Sequence, residues 1–122
     1  METLKIAETK YTPAISMHPN GDISIIGKSY PENTFEFYEP IMKWVENYFA
    51  SGFKRLEVNM EITYFNSSSS KLFFDFFDLL EENNNNDIVV SWIYDEENES
   101  ALEAGEDFKD DFEGLNINLV TK

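Results

Sequence analysis

Two rhythms of hydrophobic residues meet in the middle of the chain, and the switch between them predicts how it is organised. Apolar side chains take every second place from Leu56 through Val58, Met60 and Ile62 to Tyr64, with Glu57, Asn59, Glu61 and Thr63 between them. That alternation predicts a strand over 55–64 with one buried face. Further on they recur as Leu72, Phe73, Phe76, Phe77 and Leu80, with Asp75, Asp78, Glu81 and Glu82 opposite, the spacing of an amphipathic helix. Asn66 and the serines Ser67, Ser68, Ser69 and Ser70 lie between the two. A helix start leaves backbone N–H groups free, and Asn66 or Ser67 can cap them. The same groups, with the helix dipole, attract an anion. On pattern alone the corner is either a plain N-cap or a site where a phosphoserine would be locally stabilised.

The flanking segments follow similar rules. Short strands are expected over Leu4–Ala7 and Thr12–Met17, and His18-Pro19-Asn20-Gly21 carries the Asn-Gly signal of a hairpin returning through Asp22–Gly27. Tyr30-Pro31-Glu32-Asn33 breaks the pattern, and Asn33 with Glu36 resembles a capping box. Proline is poorly tolerated inside a helix, so residues 34–39 are expected to be an irregular turn, with Pro40 as the first helical position. Ile41, Trp44, Val45, Tyr48 and Phe49 then form one apolar face, ended by Gly52. Asn83–Asn86 reads as a connector. Ile88–Tyr94 is apolar on both faces, which predicts a central strand. A third, acidic helix is expected from Asp95 to Phe112, and Leu115, Ile117 and Leu119 alternate as a last strand.

Strand, helix, strand, helix, strand asks for parallel pairing with right-handed crossovers. Only one face of the strands at 55–64 and 115–120 is apolar, so the expected architecture is α/β in two layers. It has a mixed, mostly parallel sheet, helices on one face and an N-terminal β-hairpin. The loops after parallel strands gather along one edge, where partners engage. The expected partner-binding surface therefore joins Tyr30, Pro31, Glu32 and Asn33 to Asn66, Ser68 and Ser69, and to Tyr94 and Asp95.

Composition narrows the function. With 122 residues, 42% hydrophobic, including 11 Phe, 6 Tyr and 2 Trp, the chain is expected to form one domain, 1–122, with a real core. A net charge of −15 repels nucleic acid and anionic membrane, and favours a basic protein surface. No cysteine and one histidine, His18, leave no thiolate or multi-histidine metal site and no His-based triad. Neither a P-loop nor an EF-hand spacing occurs. No catalytic residue, metal or cofactor is expected. No apolar run approaches a membrane span and no signal peptide is evident, so a cytoplasmic location is expected.

Several segments, taken in order, resemble a known family. Thr12-Pro13-Ala14-Ile15, Tyr30-Pro31-Glu32-Asn33, Tyr64-Phe65-Asn66-Ser67-Ser68-Ser69, Asp78-Leu79-Leu80-Glu81, Trp92-Ile93-Tyr94-Asp95 and Gly105-Glu106-Asp107-Phe108 are similar to the SiaC family of bacterial regulatory phosphoproteins. The resemblance implies a STAS-like fold, similar to the anti-sigma-factor antagonists. It also implies partner switching. A cognate serine/threonine kinase modifies the residue after the Asn of a Tyr-x-Asn motif, here Ser67, with Ser68 as the rival. A PP2C-type phosphatase reverses the modification. The unmodified form binds a diguanylate cyclase, linking it to cyclic-di-GMP signalling and biofilm formation. The competing reading is a small-ligand-binding or carboxylate-based enzymatic domain using the open sheet face.

Overall fold

The computed structural model describes residues 1–52, 55–83 and 87–122. The elements follow the chain as β1 (Leu4–Ile6), β2 (Ala14–Met17), β3 (Asp22–Ser29), α1 (Thr34–Ala50), β4 (Arg55–Phe65), α2 (Ser67–Glu82), β5 (Asp87–Tyr94), α3 (Glu99–Asp111) and β6 (Asn116–Thr121). The strands form one sheet in the order β1-β2-β3-β4-β5-β6. β1, β2 and β3 pair antiparallel, and β3 to β6 pair parallel. Every crossover steps the same way across the sheet, so right-handed connections put all three helices on one face. Burial agrees: Ile23, Ile25, Val58, Met60, Ile62, Val90, Trp92 and Ile117 are buried beneath the helices. Alternate residues such as Ile26, Lys28, Glu57 and Asn118 are exposed on the other side. The two-layer, mixed, one-sided architecture expected from the pattern is the one that forms.

Three local expectations are corrected. First, α1 is continuous from Thr34, and Pro40 lies inside it. Asn33 caps it by accepting from the Glu36 N–H at 3.0 Å. Thr34 and Tyr38 are buried on the same side as Ile41, Val45 and Tyr48, a spacing of four, three, four and three. Burial of that extra turn offsets the lost hydrogen bond and clash of an interior proline, about 3 kcal/mol. Second, α3 starts at Glu99 rather than Asp95. The Asn98 N–H donates to the Asp95 carbonyl at 2.8 Å, closing a turn first. Third, β5 is an inner strand as expected, paired with β4 and β6, but it is covered on one face only. Its second apolar face, Val89 and Ile93, is half-buried because no helix covers that side. Of the expected connector, Asn83 is the C-cap of α2, and Asn84–Asn86 lie outside the described residues.

A fourth correction bears directly on the corner. Parallel pairing of β3 with β4 runs in step to Gly27 opposite Ile62, then jumps to Lys28 opposite Tyr64, leaving Thr63 over. One extra residue in a strand reverses the faces beyond it. Tyr64, which the alternation assigns to the core, is instead 55% exposed. Phe65 turns inward against Phe73 and Trp92, with ring centroids at 5.4 and 6.2 Å. Gly27 at the shift has φ +132°, a conformation that favours glycine.

Gly105 of α3 shows how tightly the layers meet. A Cβ there would lie 2.5 Å from Trp92 Cδ1 and 2.8 Å from Leu119 Cδ2. The Trp92 ring is fully buried, and its Nε1–H donates to the Ala101 carbonyl at 2.9 Å, so it has little room to yield. Alanine would gain about 1 kcal/mol of helix propensity, while overpacking costs roughly 1–3 kcal/mol. Gly105→Ala is expected to lower stability by about 1 kcal/mol net. Urea denaturation showing an unchanged or higher midpoint would mean that α3 can lift freely from the sheet.

Candidate functional site

The serine corner stands at the carboxyl end of β4, where the bulge aims Tyr64 outward and Phe65 inward. Asn66 is the N-cap of α2: its Oδ1 accepts from the Ser69 N–H at 2.9 Å, and its carbonyl accepts from the Ser70 N–H at 3.0 Å. Of the two caps the pattern allowed, Asn66 is used. Ser67 is then the first helical residue. Ser67 and Ser68 are exposed, Ser70 is half-buried and Ser69 is fully buried. The first turn of α2 contains no acidic side chain.

Ser69 therefore belongs to the core, and its side chain is withdrawn from the surface on which the sequence placed it. Its partners make a directed chain. A carbonyl can only accept, so the Ser69 hydroxyl donates to the Ser29 carbonyl at 2.9 Å. The Ser29 hydroxyl then donates to Ser69 Oγ at 2.7 Å, and the Tyr38 phenol donates to Ser29 Oγ at 2.6 Å. The Ser29 carbonyl also accepts from the Asn66 N–H at 3.1 Å. Three hydroxyl protons thus find three acceptors, linking β3, α1 and α2. Ser29 and Tyr38 escaped the sequence reading; Ser29 is a polar residue at an inward position of a strand, the one signal that marked it.

This accounting predicts an order of effects. Tyr38→Phe removes a donor and leaves no proton stranded, so it is expected to cost about 1 kcal/mol. Ser69→Ala leaves one buried hydroxyl proton without its acceptor and is expected to cost more, roughly 1–3 kcal/mol. Chemical denaturation of both variants checks the order, and equal costs would refute the direction of the chain. Burial pushes the Tyr38 phenol from 10.0 up to about 12. The neutral phenol is favoured in the fold, so its stabilisation is complete below pH 10 and is lost as pH rises through about 12. Wild type should lose more stability than Tyr38→Phe across that interval.

The other expected residues flank the corner. β3, β4 and β5 are parallel neighbours, so the loops after Ser29, Phe65 and Tyr94 leave the same edge, about 5 Å apart per strand. Tyr30 is half-buried and sets its ring edge-on to Tyr64 at 5.4 Å. Pro31 is buried, while Glu32 and Asn33 are exposed. On the far side, Tyr94 is half-buried and Asp95 exposed, its Oδ1 accepting from the Glu97 N–H at 2.9 Å. The Asn98 amide ties that loop to the Thr63 carbonyl at 3.2 Å. Tyr64 was missed as a surface residue, because only the register shift reveals it.

A family model described as SiaC family regulatory phosphoprotein matches residues 6–122. The chain belongs to the SiaC family. Its resemblance to that family thus holds over nearly its whole length. An uncharacterised protein of Pseudomonas aeruginosa strain UCBPP-PA14 is 40% identical over 114 residues, 91% of this chain and 90% of that protein. SiaC of Pseudomonas aeruginosa has the same fold, with a TM-score of 0.92 at 34% identity over the whole of both chains. A crystal structure of the diguanylate cyclase SiaD in complex with its activator SiaC, also from Pseudomonas aeruginosa, matches with a TM-score of 0.92 at 35% identity. It covers 98% of this chain and 99% of that one. The SiaC family is thus one whose named member regulates an enzyme by binding it. Among the described residues no helix is long and apolar enough to cross a membrane.

Proposed function

We propose that this SiaC-family chain is a non-enzymatic partner-switching phosphoprotein, acting as one domain in the cytoplasm, whose unmodified form binds and activates a diguanylate cyclase. The relative captured with its cyclase supports the output, and the exposed Ser67 hydroxyl, first in α2, carries the switch. A serine/threonine kinase supplies the phosphoryl group from a nucleoside triphosphate. Ser67 Oγ bonds to the γ-phosphorus, the bond to the bridging oxygen breaks, the nucleoside diphosphate leaves, and the hydroxyl proton passes to a base on the kinase. A PP2C-type phosphatase hydrolyses the ester. Ser68 is the alternative acceptor. Phosphate at Ser67 sits at the positive end of the α2 dipole, which favours it locally. It also places charge at the centre of a surface formed by Tyr30, Glu32, Asn33, Tyr64, Ser68, Tyr94 and Asp95.

Intact-mass analysis of protein from its native host tests the switch, and the expected result is an increment of one phosphate, mapped to Ser67 or Ser68. Dephosphorylated protein should bind a diguanylate cyclase of the same host and raise its rate of cyclic-di-GMP formation. No binding by the dephosphorylated form would refute the output.

A further inference from the structure

We propose that the buried hydroxyls of Ser69, Ser29 and Tyr38 select which serine of the corner is modified, a role that rests on the phospho-switch reading above. Four serines in a row offer a kinase four chemically equal nucleophiles, yet the fold makes them unequal. Ser69 Oγ has its proton on the Ser29 carbonyl at 2.9 Å and accepts the Ser29 hydroxyl at 2.7 Å. It is fully buried, so no γ-phosphorus can approach it in line. Ser69 is a positioning residue rather than an acceptor.

The same chain fixes the angle at which the others emerge. Residues on a helix are about 100° apart, so holding Ser69 inward determines where its neighbours point. Ser67 and Ser68 are left exposed, and Ser70 lies half-buried against the α2–α3 groove, beside Phe65 and Phe74. Two elements outside α2 supply the hold. Ser29 is the last residue of β3, and Tyr38 lies on the buried face of α1. Without them the turn keeps the Asn66 cap and the bond from the Asn66 N–H to the Ser29 carbonyl, both of which act at the start of the helix and hold no serine side chain. The first turn could then rotate, exposing Ser70 and turning Ser67 away.

The test maps phosphate positions in wild type, Tyr38→Phe and Ser69→Ala produced in the native host, alongside amide exchange of residues 67–70. Wild type should carry phosphate on Ser67 or Ser68 and none on Ser69. In Ser69→Ala the share on Ser70, relative to Ser67 and Ser68, should rise about tenfold, the ratio that a lost buried hydrogen bond can supply, and in Tyr38→Phe, which keeps both bonds between Ser69 and Ser29, it should rise by less. Exchange at the first turn should accelerate in step. Tyr38→Phe preserves volume, so it remains informative if Ser69→Ala folds poorly. General loss of stability would lower total phosphate without moving it. Phosphate on Ser69 in wild type, or the wild-type distribution in every variant that folds, overturns the selection while leaving the switch intact. No phosphate on any serine of wild type overturns the switch, and the selection with it.

Discussion

Ser67→Asp and Ser67→Glu should weaken binding to the diguanylate cyclase by about a hundredfold, while Ser67→Ala binds as wild type. The exposed centre of the corner is aromatic and small: Tyr64 is 55% exposed, with Tyr30 edge-on to it, and Ser67 and Ser68 are exposed where α2 begins. A partner that packs against such a centre strips water from it, and binding energy concentrates there. A carboxylate introduced at Ser67 must then give up its hydration without a cation waiting for it, which costs several kcal/mol in a packed interface. Ser67→Ala removes only an exposed hydroxyl. The cap is Asn66 rather than Ser67, so stability should stay within about 0.5 kcal/mol. Titration calorimetry or surface binding with the purified cyclase measures all three variants. Equal affinities for wild type and both acidic variants would show that charge at this position does not control the output.

The reach of the sequence is clearest where local pattern and tertiary contact disagree. The change of period between Met60 and Leu72 located the corner, because each rhythm follows from the geometry of one element. The same alternation placed Tyr64 in the core, and a single extra residue in β4, visible only in its pairing with β3, turned it outward. Pro40 misled for a similar reason. Its local cost is real, but Thr34 and Tyr38 gain burial from contacts with other elements, which no local rule weighs. Asn66 and Ser67 were equal candidates for the cap until the Ser69 N–H chose between them. The four serines look alike as letters, and only Ser29, 40 residues away, separates Ser69 from the rest. Contacts formed across such distances leave little trace in local periodicity.

Reversing the charges that flank the corner should produce the second large effect on binding. Glu32 follows β3, Ser67 follows β4 and Asp95 follows β5, so the serines sit between two exposed carboxylates on adjacent strand ends. With a net charge of −15, the whole chain also attracts a cationic surface. The partner contact implied is an uncharged centre over Tyr64 and Ser67 with basic groups over the rim. Glu32→Lys combined with Asp95→Lys would set like charges against those groups, and is expected to weaken binding roughly thirtyfold, about 2 kcal/mol. Rim charges act mainly on encounter, so most of the loss should appear in the association rate and shrink at high salt. Glu32→Lys alone is the cleaner probe. Asn33 caps α1 through the Glu36 N–H, so replacing it would cost about 1 kcal/mol of stability, and Asp95 holds its own turn through the Glu97 N–H. Glu32 is exposed, and its replacement should change stability by no more than about 0.5 kcal/mol. Stopped-flow association at low and high salt gives the answer. Unchanged rates for Glu32→Lys and for the folded double variant would move the partner surface away from this edge, to the open face of the sheet around Glu57 and Asn118.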